Sequence, residues 1–413
     1  MRSIFLYLLL FPLLANAQGS IALTLSEAEV LWQQHSRELR LGQAAVVGAA
    51  ADVKAAGQRP NPDVSLNTLS ISPWSGYGAG GWKDKKMDTQ LRLDQLVERG
   101  GKRDLRIKGA EARLEAAGFD ADDIARQQLG ALRNAYYNVR LAQEKLTLAR
   151  ETAALYAKSA EAGRLRQKAG DIAPVDLSRL QIDQARADSD ARQAQAELEH
   201  AQGELAYLLG LESEAGKLVA TDNWPALEEQ ALAAAPIDQR PDLEAARRRL
   251  TAAEADRDLA RARKKRDVTV GVQLEHNLQN APTNSYGFGV SMPLFIWHEY
   301  EGEIARAEAD LDVARLQFEQ QQAQAVGQVA HARNALLAAR ERYRRLEGGL
   351  LADAERVAKA AEFAYAKGAM GLMDLLDSRR TLRQIQIEAA SARADYAKAL
   401  SDWQIQAEFR KLK

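Results

Sequence analysis

Apolar and polar residues alternate one by one in four short stretches of this chain, and elsewhere apolar residues recur every three or four positions over long distances. The alternating stretches are Pro62 to about Pro73, Asp88 to Val97, Asp267 to His276 and Ser285 to Phe295. In the third, Val268, Val270, Val272 and Leu274 interleave with Thr269, Gly271, Gln273 and Glu275; in the fourth, Tyr286, Phe288, Val290, Met292 and Leu294 interleave with smaller residues. A period of two predicts strands with one apolar and one polar face. A strand between lipid and a wet lumen needs this pattern, and a half-buried soluble sheet shows it too. Each run has about 10 residues, which suits a tilted membrane strand. In the first run the alternation slips after Thr68.

The helical period is sustained without an interior proline from about Lys102 to Gln167 and from about Glu299 to Ala366, roughly 100 Å each at 1.5 Å per residue. Val329, Leu336, Tyr343, Leu350, Val357 and Ala364 repeat every seven residues, with Ala332, Ala339, Leu346 and Ala360 on a second seam that only Asp353 interrupts. Two shorter helices share one seam register: Leu177, Leu180, Gln184, Ala187, Ala191, Ala194, Leu198, Ala201, Leu205 and Leu208, against Leu375, Ser378, Leu382, Ile385, Ala389, Ala392, Tyr396, Ala399, Trp403 and Gln406. Narrow alanine-rich seams predict coiled-coil hairpins. Further helices are expected over about Ser26 to Gly57 and Asp242 to Lys265.

These elements occur twice in the same order. Ser36–Leu39 lies opposite Arg240–Leu243, and Asp63–Leu66 opposite Asp267–Val270, 204 residues apart; Leu91–Leu96 with Gly289–Leu294, and Gly170–Leu177 with Gly368–Leu375, are 198 apart. The change falls in the hairpin loop, longer around Ile71–Lys86 than around Asn277–Ser285, where loops tolerate it. The expected organisation is a first repeat over 18–212, a linker over 213–230 and a second repeat over 231–413.

Residues 1–17 read as a secretory signal, with Arg2, an apolar run from Ile4 to Leu14 and the small-x-small ending Ala15-Asn16-Ala17. The chain has no cysteine and, after Ala17, no apolar stretch long enough for a transmembrane helix. Strands are the remaining spanning elements. With 56 Lys plus Arg against 57 Asp plus Glu, no nucleic-acid partner is expected. Trp74, Tyr77 and Trp82 suit either an interface anchor or a surface loop.

Four strands cannot close a barrel, and an open edge in lipid leaves backbone groups unpaired. The strands must be pooled: two chains supply eight and three supply twelve, of which the larger leaves an opening.

The order helix, strand, strand, long helix, turn, helix, given twice, with Arg240-Pro241-Asp242-Leu243 and Met373-Asp374-Leu375-Leu376-Asp377, resembles the TolC-type outer-membrane factor family over essentially the whole mature chain. Within it, Glu98-Arg99-Gly100-Gly101-Lys102-Arg103 is similar to the heavy-metal, cobalt-zinc-cadmium type branch of RND systems. The resemblance implies a mixed, mostly α fold: a homotrimer with a twelve-stranded transmembrane β-barrel continued by a twelve-helix periplasmic α-barrel. It implies a passive exit duct set in outer-membrane lipid, partnered by a periplasmic adaptor and an inner-membrane RND transporter. Cargo selection then belongs to the pump, with heavy-metal cations as the leading cargo and drug efflux or type I secretion as alternatives. Read physically, Gly100 and Gly101 turn strand into helix; P-loop spacing is absent.

The hairpin tips, with Gly170, Asp171 and Ile172 in one and Gly368, Ala369 and Met370 in the other, are the expected adaptor contacts. Gly170 and Gly368 suit left-handed helix ends, and Asp171 and Asp176 suit a helix start. Asp374 and Asp377 stand three apart on one face; tripled by symmetry they make a ring of six carboxylates that draws cations to a narrow opening. Capping is the simpler role for Asp374. In the resembling family such aspartates line the periplasmic constriction. Asp176 and Tyr365 match its closing network, and Met370 occupies the position of a basic partner.

His35, His200, His276, His298 and His331 show no ligand spacing, and no nucleophile is paired with a base, so neither a metal site, a cofactor nor an enzyme is expected. A soluble periplasmic coiled-coil scaffold is the competing class; an adaptor subunit lacks the required lipoyl-like domain.

Overall fold

The structure, a computed structural model, describes residues 19–69, 87–227, 237–277 and 283–407. The expected leader, Trp74, Tyr77, Trp82 and part of the linker lie outside these residues. The elements are β1 (Ile21–Leu23), α1 (Leu25–His35), α2 (Arg37–Gly57), β2 (Asp63–Leu69), β3 (Asp88–Val97), α3 (Lys102–Lys168), α4 (Pro174–Leu209), β4 (Leu218–Ala220), α5 (Pro241–Ala262), β5 (Val268–Asn277), β6 (Thr283–Ser291), α6 (Glu301–Arg345), α7 (Leu351–Ala366) and α8 (Leu372–Ala407). The fold is thus mixed and mostly helical, and the chain divides into two compact units.

One unit, drawn from Glu38–Ala125 and Pro236–Gly327, holds an antiparallel sheet of order β2-β3-β5-β6. Its register aligns the apolar positions of all four strands: Leu66 opposes Leu91, which opposes Leu274, which opposes Tyr286; Val64, Leu93, Val272 and Phe288 form a second row. These side chains are exposed, Tyr286 by 82% and Phe288 by 85%. The intervening positions form a polar face where Arg92 pairs with Asp94 at 2.6 Å. The fourth strand ends at Ser291, so Met292–Phe295 follow it rather than extend it.

Below the strands, helices of this unit approach closely through small residues. A side chain on Gly42 would stand 3.4 Å from the Ala121 Cβ. Exposed ion pairs flank these contacts: Arg248 with Glu115 and Arg249 with Asp120 between α5 and α3, and Arg261 with Glu308 between α5 and α6. Such pairs contribute little individually and chiefly select the register.

The Glu98–Arg103 segment is a strand-to-helix clamp. Gly100 and Gly101 both take positive φ, 82° and 71°, a conformation only glycine adopts freely. The buried Lys102 ammonium donates to Asp267 Oδ2 and to the Lys265 carbonyl, both at 2.8 Å, while the Arg99 amide donates to Asp267 Oδ1. Arg103 donates to the Gly57 carbonyl and Arg106 pairs with Glu98. One short motif therefore ties the end of β3 to the start of β5 and the end of α2.

The other unit, drawn from residues up to Arg37, from Arg126–Ala235 and from Gln328–Phe409, has among its described residues the parallel pair β1–β4 as its strands, and its other long elements are helices. That pair has too few residues to signal itself in sequence. Tyr136, fully buried, donates its hydroxyl to the Leu23 carbonyl and accepts the amides of Thr221 and Asp222. Burial pushes its phenol up to about 12, so it stays a donor. Every predicted seam residue of α4 and α8 is buried or half-buried.

Two expected helices are interrupted. The helix over Ser26–Gly57 breaks at Ser36, whose backbone is extended (φ −57°, ψ 126°), giving α1 and α2. The helix over 299–366 is broken by a π turn at Leu346–Leu350, in which Gly349 has φ 155°. A π turn inserts one residue and rotates everything after it. The buried line Leu336–Tyr343 therefore continues through Leu351 and Ala358, leaving Leu350 and Val357 exposed by 47% and 59%. The second line passes from Leu346 to Ala354, not to Asp353, which removes the interruption the strict heptad contained.

Candidate functional site

The two hairpin tips close in the same way. At the end of α3, the Gly170 amide donates to the Gln167 carbonyl and the Asp171 amide to that of Arg166, at 3.1 and 2.9 Å. At the end of α7, the Gly368 amide donates to Tyr365 and the Ala369 amide to Ala364, at 3.0 and 2.9 Å. This crossed pair of bonds defines the Schellman ending, which needs a left-handed residue; φ is 83° at Gly170 and 76° at Gly368.

α4 then starts at Pro174 with Ala173 as its cap and no side-chain capping bond. Asp171 lies outside the helix and does not cap it, while Asp176 sits in its first turn, where a carboxylate complements the exposed amides. Ile172 and Met370 are half-buried, and Asp171 and Ala369 are exposed. Ile172 reaches toward Gly163, where an added Cβ would stand 3.7 Å from Ile172 Cδ1 and 2.6 Å from Leu180 Cδ1. The tight first tip therefore depends on a residue without a side chain in α3.

Tyr365 is joined to Arg166, whose guanidinium donates to the hydroxyl at 2.9 Å and lies 5.6 Å from the ring centroid. The cation facing Tyr365 thus comes from the last turn of α3 and not from the Met370 position. Asp176 is 3.7 Å from Arg179, whose guanidinium also reaches Met373 Sδ at 3.3 Å across to α8.

Asp374 and Asp377 are exposed, and neither carboxylate has a partner among the described residues. At 100° per residue they occupy the side of α8 opposite Leu372, Leu375 and Leu376. Leu376 is buried in a cluster with Tyr156, Ala160, Leu180 and Ala187, which fixes the rotation of α8 and keeps both carboxylates pointing to solvent.

Charged ties between the hairpins stand behind this face. Arg380 grips buried Asp183 on α4 through both carboxylate oxygens, at 2.7 and 2.9 Å. Arg379 donates to Glu362 on α7 and to Ser159 on α3, and Arg383 pairs with Asp190 at 2.9 Å. Burial, with the nearby Asp183 charge, pushes the Tyr156 phenol up. Asp183 was not among the residues singled out in the sequence, because its position next to the α4 seam reads as an ordinary solvated carboxylate.

No group of histidine and carboxylate side chains among the described residues has the arrangement of a metal site, and no helix among them is long and apolar enough to cross a membrane. The chain is 29% identical to the cobalt-zinc-cadmium resistance protein CzcC of Cupriavidus metallidurans over 313 residues, 74% of each. Its fold is similar to that of the Campylobacter jejuni CmeC outer membrane channel, with a TM-score of 0.82 at 18% identity over 93% of this chain and 85% of that one. It is similar also to that of CusC, with a TM-score of 0.78 at 19% identity over 95% of each. The family model for outer membrane efflux proteins matches residues 30–211 and 233–402, so this chain belongs to the outer membrane efflux protein family and serves as an efflux channel of the outer membrane.

Proposed function

We propose that the chain is the exit duct of a tripartite efflux system, a homotrimer that receives heavy-metal cations from an inner-membrane RND transporter through a periplasmic adaptor. The carrying observation is the sheet: among the described residues β2 and β6 each have a neighbour on one side only, and the rows Leu66–Leu91–Leu274–Tyr286 and Val64–Leu93–Val272–Phe288 make an exposed apolar face. Each such side chain gains about 1.5–3 kcal/mol on leaving water. A soluble scaffold offers them nothing, whereas lipid covers the face and sister subunits pair the edges. Three chains give twelve strands, and the polar face with Arg92 and Asp94 then lines the water-filled lumen.

The two repeats, over 18–212 and 231–413, each supply two strands and one helical hairpin; the twice-given element order and the two segments matched by the family support this reading. The tips at Gly170, Asp171, Ile172, Gly368, Ala369 and Met370 dock the adaptor. Asp374 and Asp377 form the cation-attracting ring, and Asp176 and Tyr365 belong to the latch that holds it narrow. The likeness to CzcC favours metal ions as cargo.

Two measurements test this. The protein extracted from outer membranes in mild detergent should run as a trimer that collapses to monomer on boiling; a monomer that never enters the membrane fraction overturns the duct. Loss of the gene should raise sensitivity to cobalt, zinc or cadmium before it raises sensitivity to drugs; the reverse order moves the cargo to the drug class.

A further inference from the structure

Because β2 and β5 begin, and β3 and β6 end, at the same edge of the sheet, all four strand-to-helix junctions lie at one level, as the pairs Val97–Val268 and Thr269–Ser291 require. This level is basic and aromatic. Arg59, Arg99, Arg263, Lys264 and Lys265 are exposed and have no ion-pair partner among the described residues. Arg266 lies 5.3 Å from the Phe295 ring centroid. Just past β6, Leu294 and Ile296 are exposed by 68% and 64%, and Trp297 by 94%.

Three of the acids here are engaged. Glu98 is held by Arg106, Asp267 by Lys102 and Glu303 by His298 at 2.9 Å; Asp63, Glu299 and Glu301 are exposed and offset part of the charge.

We propose that this junction is a collar for the headgroups of anionic phospholipids in the leaflet that faces the helices. The inference rests on the channel reading, because the apolar face sets the membrane level. An indole at the end of an apolar strand face belongs where hydrocarbon gives way to headgroups, and cations at that depth meet the phosphates. The occupant is a charged surface and not a free phosphate, since the cations come from three separate junctions, point outward and converge on no enclosed pocket. The Arg263–Lys265 run follows α5 directly and its side chains face solvent, so their charge serves neither the Lys102–Asp267 clamp nor the sheet. Each cation near an anionic leaflet strengthens association about fivefold.

The test reconstitutes the full-length trimer in vesicles of brominated phosphatidylcholine and titrates in unbrominated phosphatidylglycerol, reading relief of tryptophan quenching. Wild type should show a relative association constant for phosphatidylglycerol of about fivefold or more over phosphatidylcholine. Arg263→Gln/Lys264→Gln/Lys265→Gln should lower it severalfold, to what Arg59 and Arg99 still supply, while the heat-modifiable trimer persists, and in a Trp74→Phe/Trp82→Phe background Trp297→Phe should remove most of the lipid-sensitive signal. Equal preference in wild type and triple variant overturns the collar, as does a wild-type constant of one. Loss of the preference in 10 mM inorganic phosphate, at constant ionic strength, also overturns it in favour of a small-anion site. Absence of quenching in every vesicle instead removes the channel reading itself.

Discussion

Arg166 and Tyr365, from the last turns of α3 and α7, meet through a 2.9 Å hydrogen bond and a cation over the ring at 5.6 Å. Both interactions hold two helix ends together beside the Asp374 and Asp377 face. Tyr365→Phe keeps the ring and loses the bond, while Arg166→Gln loses the cation. In planar bilayers both variants should spend more time conducting, Arg166→Gln the more, because Tyr365→Phe loses the charge-assisted bond, about 1.5–3 kcal/mol, and keeps the cation over the ring, whereas Arg166→Gln loses both, the second adding about 0.5–1 kcal/mol. Unchanged open time in both would separate this contact from the gate.

Asp374 and Asp377 face solvent with no counter-ion among the described residues. Their joint replacement by alanine should lower cation selectivity and weaken block by trivalent cations at least tenfold, and Ser378 and the leucines behind them keep the helix in place. Single-channel conductance and reversal potential in asymmetric salt measure both effects.

The Arg380–Asp183 pair predicts an unequal response. Asp183 is 7% exposed, whereas the Arg380 side chain is 49% exposed. Removing the arginine strands a buried carboxylate and should cost about 2–3 kcal/mol; Asp183→Asn leaves a cation that water can reach and should cost about 1. The thermal midpoint of unfolding should fall further for Arg380→Gln than for Asp183→Asn.

Gly349 supplies the residue that shifts the seam. Deleting it should straighten α6 and α7 into one helix while keeping Leu346, Leu351, Ala354 and Ala358 on the buried line, so the thermal midpoint should hold or rise. Gly349→Ala keeps the bulge and imposes φ 155° on a residue with a side chain, at a cost of about 1–3 kcal/mol. A deletion more harmful than the substitution would contradict the register argument.

Gly163 faces α4 where a Cβ would overlap Leu180. Gly163→Ala should be mild, since the end of a leucine side chain can swing aside, while Gly163→Val should part the tip and lower the stability of the hairpin by about 1–3 kcal/mol, read as a drop in thermal midpoint.

The periods in the sequence determined which elements form and which faces they bury. A two-residue period marked β3 at its full length of Asp88–Val97, and a run without proline marked α3 to within one residue of its observed end. The glycines of the tips were legible because a helix that ends on a left-handed residue needs that residue type at that position. The family resemblance likewise rested on short segments readable in one dimension.

Only the tertiary structure decided the partners. Arg166 reaches Tyr365 across 199 residues, and Arg380 reaches Asp183 across 197, and nothing along the chain selects those arginines from their many neighbours. The π turn left one trace, Asp353 on a strict heptad seam, but one inserted residue leaves the rest of the apolar pattern almost unchanged, and its place shows only in which side chains lose water. Period fixes the face a helix buries, whereas the rotation, register and cross-helix contacts follow from packing that face against a surface built by distant residues.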